Sequence, residues 1–417
     1  MLFTITLHAQ SVTAYQSLIA RAGLFHLQKR PVEAIALYKQ AFALQQPDAL
    51  NAYKAASVYA LDSNVTAALQ YLELALKNGW TEADWLAGDP YFDYLRTHAT
   101  DSWKKIAAAA FAAEKEYEKS LRLPQLRKQI NSMMLEDQQL RYRQAQPTTT
   151  KEERATISRQ INEAAIVHKT TALKIITRYG WPAISAVGKD GQNNLWLLVQ
   201  HADDDVLFQQ QALAAMKKYL GTAELNAENY AFLYDRIQCN LNYKQYYGTQ
   251  VNWTHHGQAS GFRPILQENR VDARRKQLGM QPLAIYALTY GFSYAPVSAT
   301  VAGKQERSDS LYTRALMDTA LQFYRLKKYE QLYDYYNTAS TIAGGMNQAD
   351  NLAAAVVFAR VALVTGEQRY KDIALDFLNL LYVRRQLTAK KMLRQPAFKI
   401  LYPEQRWKEM LGRLSHK

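Results

Sequence analysis

Gln200, His201 and Asp203 close the run Trp196-Leu-Leu-Val-Gln-His-Ala-Asp203. An imidazole titrates close to neutrality, with an ordinary pKa of about 6.5, and a neighbouring carboxylate favours its charged form. His201 with Asp203 is therefore the candidate general base or acid. In a second run, Asp137, Gln138 and Arg141 share one helical stripe by their i, i+3 and i, i+4 spacing. Asp235 with Arg236, and Asp272 with Arg274 and Arg275, add further charge. Tyr247 and Gln250 flank Gly248 on an expected strand edge. A pocket built from a His, two Asp and several Arg suits a phosphate or carboxylate, the guanidinium acting as a bidentate clamp. A second reading needs no ligand. In it the charges form structural ion pairs, Asp235 with Arg275 for one, and His201 bonds a backbone carbonyl.

Other chemistries lack their residues. There is no His-Glu-x-x-His helix, and His255-His256 falls in an expected hairpin turn, so neither a metal nor a cofactor is expected. No glycine-rich phosphate loop, Gly-x-Ser-x-Gly elbow or Cys–His pair is present. Cys239 is the one cysteine, which excludes an internal disulfide and a cysteine metal cage. Its neighbours Gln238 and Asn240 make it a packing residue rather than a nucleophile.

The elements that must position these residues are mainly helical. With 17 Gly and 11 Pro in 417 residues, turn-dense all-β architectures are disfavoured. Aligning Ala34 with Ala68 pairs Ala22 with Ala56, Phe25 with Tyr59, Tyr38 with Leu72 and Ala41 with Ala75. Small residues recur where two helices approach, and large ones where a side chain plugs the next hairpin. The pattern resembles the tetratricopeptide repeat, without the family's first Trp and its Gly. A longer match follows. Ala68-Leu-Gln-Tyr-Leu-Glu-Leu-Ala75 recurs as Ala374-Leu-Asp-Phe-Leu-Asn-Leu-Leu381. Beyond it Thr81, Leu86, Pro90, Phe92, Leu95 and Trp103 parallel Thr388, Leu393, Pro396, Phe398, Leu401 and Trp407. This resembles the half-repeat that caps such arrays. The C-terminal array is expected from about Ser308, with Leu311 to Leu326 as its first amphipathic helix.

Between the two arrays, Pro124 suits a helix start and Thr150 to Glu153 reads as a capping box. The segment from Tyr246 to Thr254 reads as a strand, paired through a turn with Gly261 to Ile265. Met134-Leu-Glu-Asp-Gln138, Arg141, Gly180-Trp-Pro182, the His201 run, Asp235-Arg236, Tyr247-Gly-Thr-Gln250 and Val271-Asp-Ala-Arg-Arg275 occur in one order. Together they resemble domain-of-unknown-function family 6624, a bacterial family, over roughly residues 118–290. The resemblance adds Trp181 to the candidate ligand-binding residues and implies no known reaction. The expected fold is mainly α. Tetratricopeptide-like helical hairpins at 11–115 and 305–417 flank a central α+β domain at 116–295 that contains a small β-hairpin.

Fifty-one Lys+Arg against 37 Asp+Glu leave a net charge of +14, with 13 bases and 5 acids from Arg360 onward. No nucleic-acid motif accompanies this charge, so nucleic acid is not the expected partner. No apolar run reaches the roughly 20 residues of a membrane span. Met1 to Gln10 reads either as the remnant of a signal peptide, giving a periplasmic or secreted protein, or as an ordinary apolar segment of a cytoplasmic one. Helical arrays present extended surfaces, so the leading expectation is an interaction scaffold for a protein or peptide, with a central polar ligand pocket. The alternative is a hydrolase or transferase acting on an anionic substrate. That alternative requires His201, Asp137, Gln250 and Arg275 to converge in one cleft.

Overall fold

A computed structural model of the chain describes the backbone of residues 2–415 and the side chains of residues 13–415. It is mainly helical, and among the described residues the only sheet has two strands. The helix that opens the chain, α1 (Leu2–Leu27), starts before the boundary expected at Ser11. The reading of Met1 to Gln10 as a leader falls outside the described side chains.

In the N-terminal part, α1 packs on α2 (Pro31–Leu44) and α3 (Ala49–Leu61) on α4 (Val65–Lys77). Local chemistry sets the boundaries. Pro31 opens α2, where its missing N–H costs nothing. The side chains of Asp48 and Asn64 accept from Asn51 N and Ala67 N to cap α3 and α4. Ala22, Ala34, Ala41, Ala56, Ala68 and Ala75 are all buried, which lets paired helices approach closely. Tyr38 and Leu72 are buried in the same core. A short helix α5 (Ala83–Gly88), a 3-10 turn at Pro90–Phe92, α6 (Asp93–His98) and α7 (Thr100–Glu118) then cover this core with Phe92, Leu95 and Trp103.

The central helices are α8 (Pro124–Gln144), α9 (Lys151–Tyr179), α10 (Ile184–Gln200), α11 (Val206–Lys217) and α12 (Ala227–Asn240). The capping box at Thr150 and Glu153 forms as expected. Strands β1 (Val251–Trp253) and β2 (Ala259–Phe262) pair antiparallel, Val251 opposite Phe262. They lead into α13 (Val271–Gln277) and α14 (Leu283–Leu288). The strand is shorter than expected, because the backbone from Tyr246 to Thr249 wraps around a buried carboxylate instead of pairing. One long-range contact joins this part to the start of the chain: α1 packs on α14, with Leu24 against Gly291.

The C-terminal part pairs α15 (Ala299–Arg325) with α16 (Tyr329–Thr341) and α17 (Gln348–Thr365) with α18 (Gln368–Val383). It ends in α19 (Ala389–Leu393), a 3-10 turn at Pro396–Leu401 and α20 (Gln405–Ser415). Helix α15 begins well before Ser308, and Leu311 and Leu326, expected on its apolar face, are 69% and 63% exposed. Phe398, Leu401 and Trp407 are buried like Phe92, Leu95 and Trp103. The parallel slips at one position, for Leu393 is exposed where Leu86 is buried, and Met392 takes the inward place. Helix α17 is long and apolar enough to cross a membrane, with a mean hydropathy of 1.2. Here its Ala354, Ala355, Phe358, Ala359 and Ala362 sit inside the C-terminal core.

Three separate large cores result, running over Ala22 to Ala110, Leu126 to Leu241 and Leu316 to Met410. Polar joints tie the last two together. Arg384 donates to Leu241 O at 2.9 and 2.7 Å while lying over the Tyr243 ring, and Lys244 pairs with Asp309 at 2.6 Å.

Candidate functional site

Helices α8, α9 and α10 and the turn after α10 wall a cavity of about 440 Å³. Asp137 stands two turns before the end of α8 with its side chain buried. His201 directly follows α10, and its backbone N–H still bonds Leu197 O at 2.9 Å. The turn of that helix therefore fixes where the ring stands. Its Nδ1 lies 3.3 Å from Asp137 Oδ2, and the side chain is 30% exposed. Arg141 Nε and Gln138 Nε2 donate to the same Asp137 oxygen, both at 2.9 Å. Burial alone raises a carboxyl pKa, but the imidazole and the guanidinium beside it win and hold Asp137 well below the usual range. The Asp137 carboxylate thus gathers the imidazole at its Nδ1 edge together with Gln138 and Arg141.

Asp203 lies in the turn between α10 and α11 and lines the same cavity. Its carboxylate accepts from Arg236 Nε at 2.6 Å, Asn240 Nδ2 at 3.1 Å and Gln209 Nε2 at 3.3 Å. Those donors outweigh partial burial and lower its pKa. Asp203 is thus tied to α12, and His201's carboxylate partner is Asp137, not the Asp203 expected from sequence. Lys169, from α9, lines the cavity and pairs with Asp204 at 2.6 Å. The lining carries three carboxylates, Asp137, Asp203 and Asp204, against the two cations Arg141 and Lys169. It is a mixed polar site rather than an anion trap. Among the described residues no cluster of His, Cys, Asp and Glu is arranged to hold a metal ion.

The remaining expected residues form a second assembly. Asp235, fully buried on α12, accepts from the backbone N–H groups of Tyr246, Tyr247 and Thr249 at 2.7–3.0 Å and from Thr249 Oγ1 at 3.1 Å. Burial pushes its carboxyl pKa up against those four donors. Arg275 donates to Gln281 O and Tyr247 O, Arg274 to Leu266 O, and Asp272 accepts from Leu283 N at 2.7 Å. Each of these charges thus satisfies backbone groups, in the loop at 246–249, after β2, between α13 and α14 or at the start of α14. Asp235 and Arg275 are not partnered as expected, and Tyr247 and Gln250 belong to this loop rather than to the His201 cavity. The four-residue convergence is reduced to Asp137 and His201. Trp181 is 1% exposed in the central core, and Gln200 is buried with its carbonyl accepting from Gln209. Neither lines the cavity. Cys239 is buried, and burial pushes its thiol up to about 11, as suits a packing residue.

The comparison that bears on this region concerns the segment holding both assemblies. Residues 124–295 match the model of DUF6624, a family of unknown function. The DUF6624 segment opens on Pro124, the first residue of α8, and extends past α14, so both assemblies lie within it. No curated protein and no solved structure matches the chain.

A further polar network centres on Arg127. Arg127, fully buried, donates to Asp190 at 2.7 Å, to Glu114 at 2.8 Å, to Glu118 at 3.2 Å and to Thr81 O at 2.8 Å. It joins α7, α8 and α10 where the N-terminal part meets the DUF6624 segment. Glu82 faces the same network. Burial, with Asp190 and Glu114 nearby, pushes its carboxyl up to about 8 despite Arg127. No local spacing signals this cluster, because its partners come from four separate segments.

Proposed function

We propose that the chain is an interaction scaffold for a protein or peptide partner, tetratricopeptide-like at both ends, with the cavity at His201 as a polar ligand pocket. What carries this reading is the same arrangement at both ends. Small residues such as Ala34, Ala68 and Ala374 are buried between paired helices, and a 3-10 turn with a buried Phe, Phe92 or Phe398, follows each array. Stacked hairpins leave one extended surface for a partner. The test is a cross-linking pull-down with the full chain from its native extract, mapped by hydrogen exchange. A partner that protects the hairpin helices supports the scaffold. Protection confined to other surfaces, or turnover of a small substrate with no partner, counts against it.

A second reading, acid–base catalysis at His201, is favoured by the Asp137 contact at Nδ1. Here the substrate is one that needs proton transfer and tolerates a lining with more carboxylates than cations. A panel of ester, amide and phosphoester substrates tests it. Activity lost in both His201→Ala and Asp137→Asn supports catalysis, and activity kept in His201→Ala rejects it.

A further inference from the structure

The two caps differ in charge while sharing a shape. From Thr81 to Leu95 the first cap holds four acids, Glu82, Asp84, Asp89 and Asp93, and no base. From Thr388 to Leu401 the second holds four bases, Lys390, Lys391, Arg394 and Lys399, and no acid. The first cap turns most of its charges to internal contacts. Asp89 accepts from Tyr53 Oη and Tyr91 N, Asp93 from Arg96, and Glu82 sits beside the Arg127 network. The second cap does not. All four of its bases are exposed, and among the described residues none pairs with a carboxylate. Lys391 only touches Gln386 O at 3.4 Å, and the nearby Glu404 is taken by Lys371. The cap therefore folds without needing these charges for its own contacts.

A leucine stands in the middle of the basic run. Because Met392 takes the inward position of α19, Leu393 points to solvent, 52% exposed, between Lys391 and Arg394. Tyr402, just beyond, is 38% exposed. Exposed bases around an exposed leucine are the composition that holds a protein on a bilayer surface. The bases attract anionic headgroups and the leucine enters the acyl boundary. A nucleic-acid backbone rewards the charges but not the leucine.

We propose that the C-terminal cap is a peripheral docking surface for anionic lipid, with Lys390, Lys391, Arg394 and Lys399 at headgroup level and Leu393 inserted. This goes beyond the scaffold reading and does not depend on it. The test is sedimentation of the full chain with phosphatidylcholine vesicles, with and without added phosphatidylglycerol, at low and high salt. Only the anionic vesicles bind, and binding falls with salt. At about 1 kcal/mol per base, the triple variant K390E/K391E/R394E loses about 100-fold or more in partitioning. The control K104E/K105E/K115E, three exposed bases on α7, makes the same change in net charge and stays close to the parent. Leu393→Ser weakens vesicle binding by several fold and leaves the melting temperature in place. The proposal is overturned if the parent does not bind, if both triple variants lose equally, or if Leu393→Ser binds like the parent. It is also overturned if a mixed-sequence oligonucleotide strips the chain from vesicles and binds the Leu393→Ser variant undiminished.

Discussion

Replacing Arg127 by Leu puts an apolar side chain in its place and removes the fully buried cation of its network. Glu114, Glu118 and Asp190 then face one another without it, and Thr81 O loses its donor. Breaking a buried charge group by removing one partner costs about 3–5 kcal/mol. In a cooperative unit of 150–250 residues, each kcal/mol moves the melting temperature by about 2–4 °C, so the expected drop is about 6–20 °C. Scanning calorimetry at pH 7 measures it. The same network fixes a pH signature. The folded-state pKa of Glu82 is raised above its unfolded value, so its share of stability is whole below about pH 4.5 and is lost as pH rises through about 8. Glu82→Gln therefore melts above the parent at pH 9 and together with it near pH 5. The Arg127→Leu defect shrinks on acidification, as the stranded carboxylates take up protons. A drop under about 2 °C, or a defect of equal size at pH 5 and pH 8, refutes the reasoning.

Three more outcomes follow from the geometry. Asp137 has a depressed folded-state pKa, so its contribution is present above its unfolded pKa and is lost only as pH falls through the much lower folded one; Asp137→Asn melts lower at pH 7 and keeps most of that difference near pH 3, measured by circular dichroism. Gly188 has φ +78° inside α10, and an added Cβ would meet Asp190 Oδ1 at 2.5 Å and Tyr117 Oη at 2.9 Å. Gly188→Ala therefore destabilises by about 2–4 kcal/mol in urea titration, combining backbone strain with a clash against the Arg127 network. Phe398→Ala empties the centre of the second cap and costs about 3–5 kcal/mol, read as an earlier urea transition of the C-terminal part.

What the sequence made legible was governed by short-range rules. The small residues at Ala34 and Ala68, the helix start at Pro124 and the capping box at Thr150 all follow from spacing or backbone preference. So does the Asp137–Arg141 contact, one helical turn apart. The failures share a different cause. Whether Asp235 pairs with an arginine or gathers the amides of a loop depends on where residues 246–249 run, and no periodicity encodes that path. Leu393 and Met392 are equally apolar neighbours, and only packing decides which one turns inward. Sequence proximity pairs His201 with Asp203, two residues on. The fold instead brings Asp137 from another helix, because Arg236 already occupies Asp203.

The contact of α1 with α14 has a consequence for biosynthesis. Leu24 leaves the ribosome roughly 270 residues ahead of its neighbour Gly291. At about 5–20 residues per second the first helix waits roughly 13–50 s before its docking site exists. During that interval the N-terminal hairpins carry an uncovered apolar face on a nascent chain. That interval is when a cellular chaperone has most to protect.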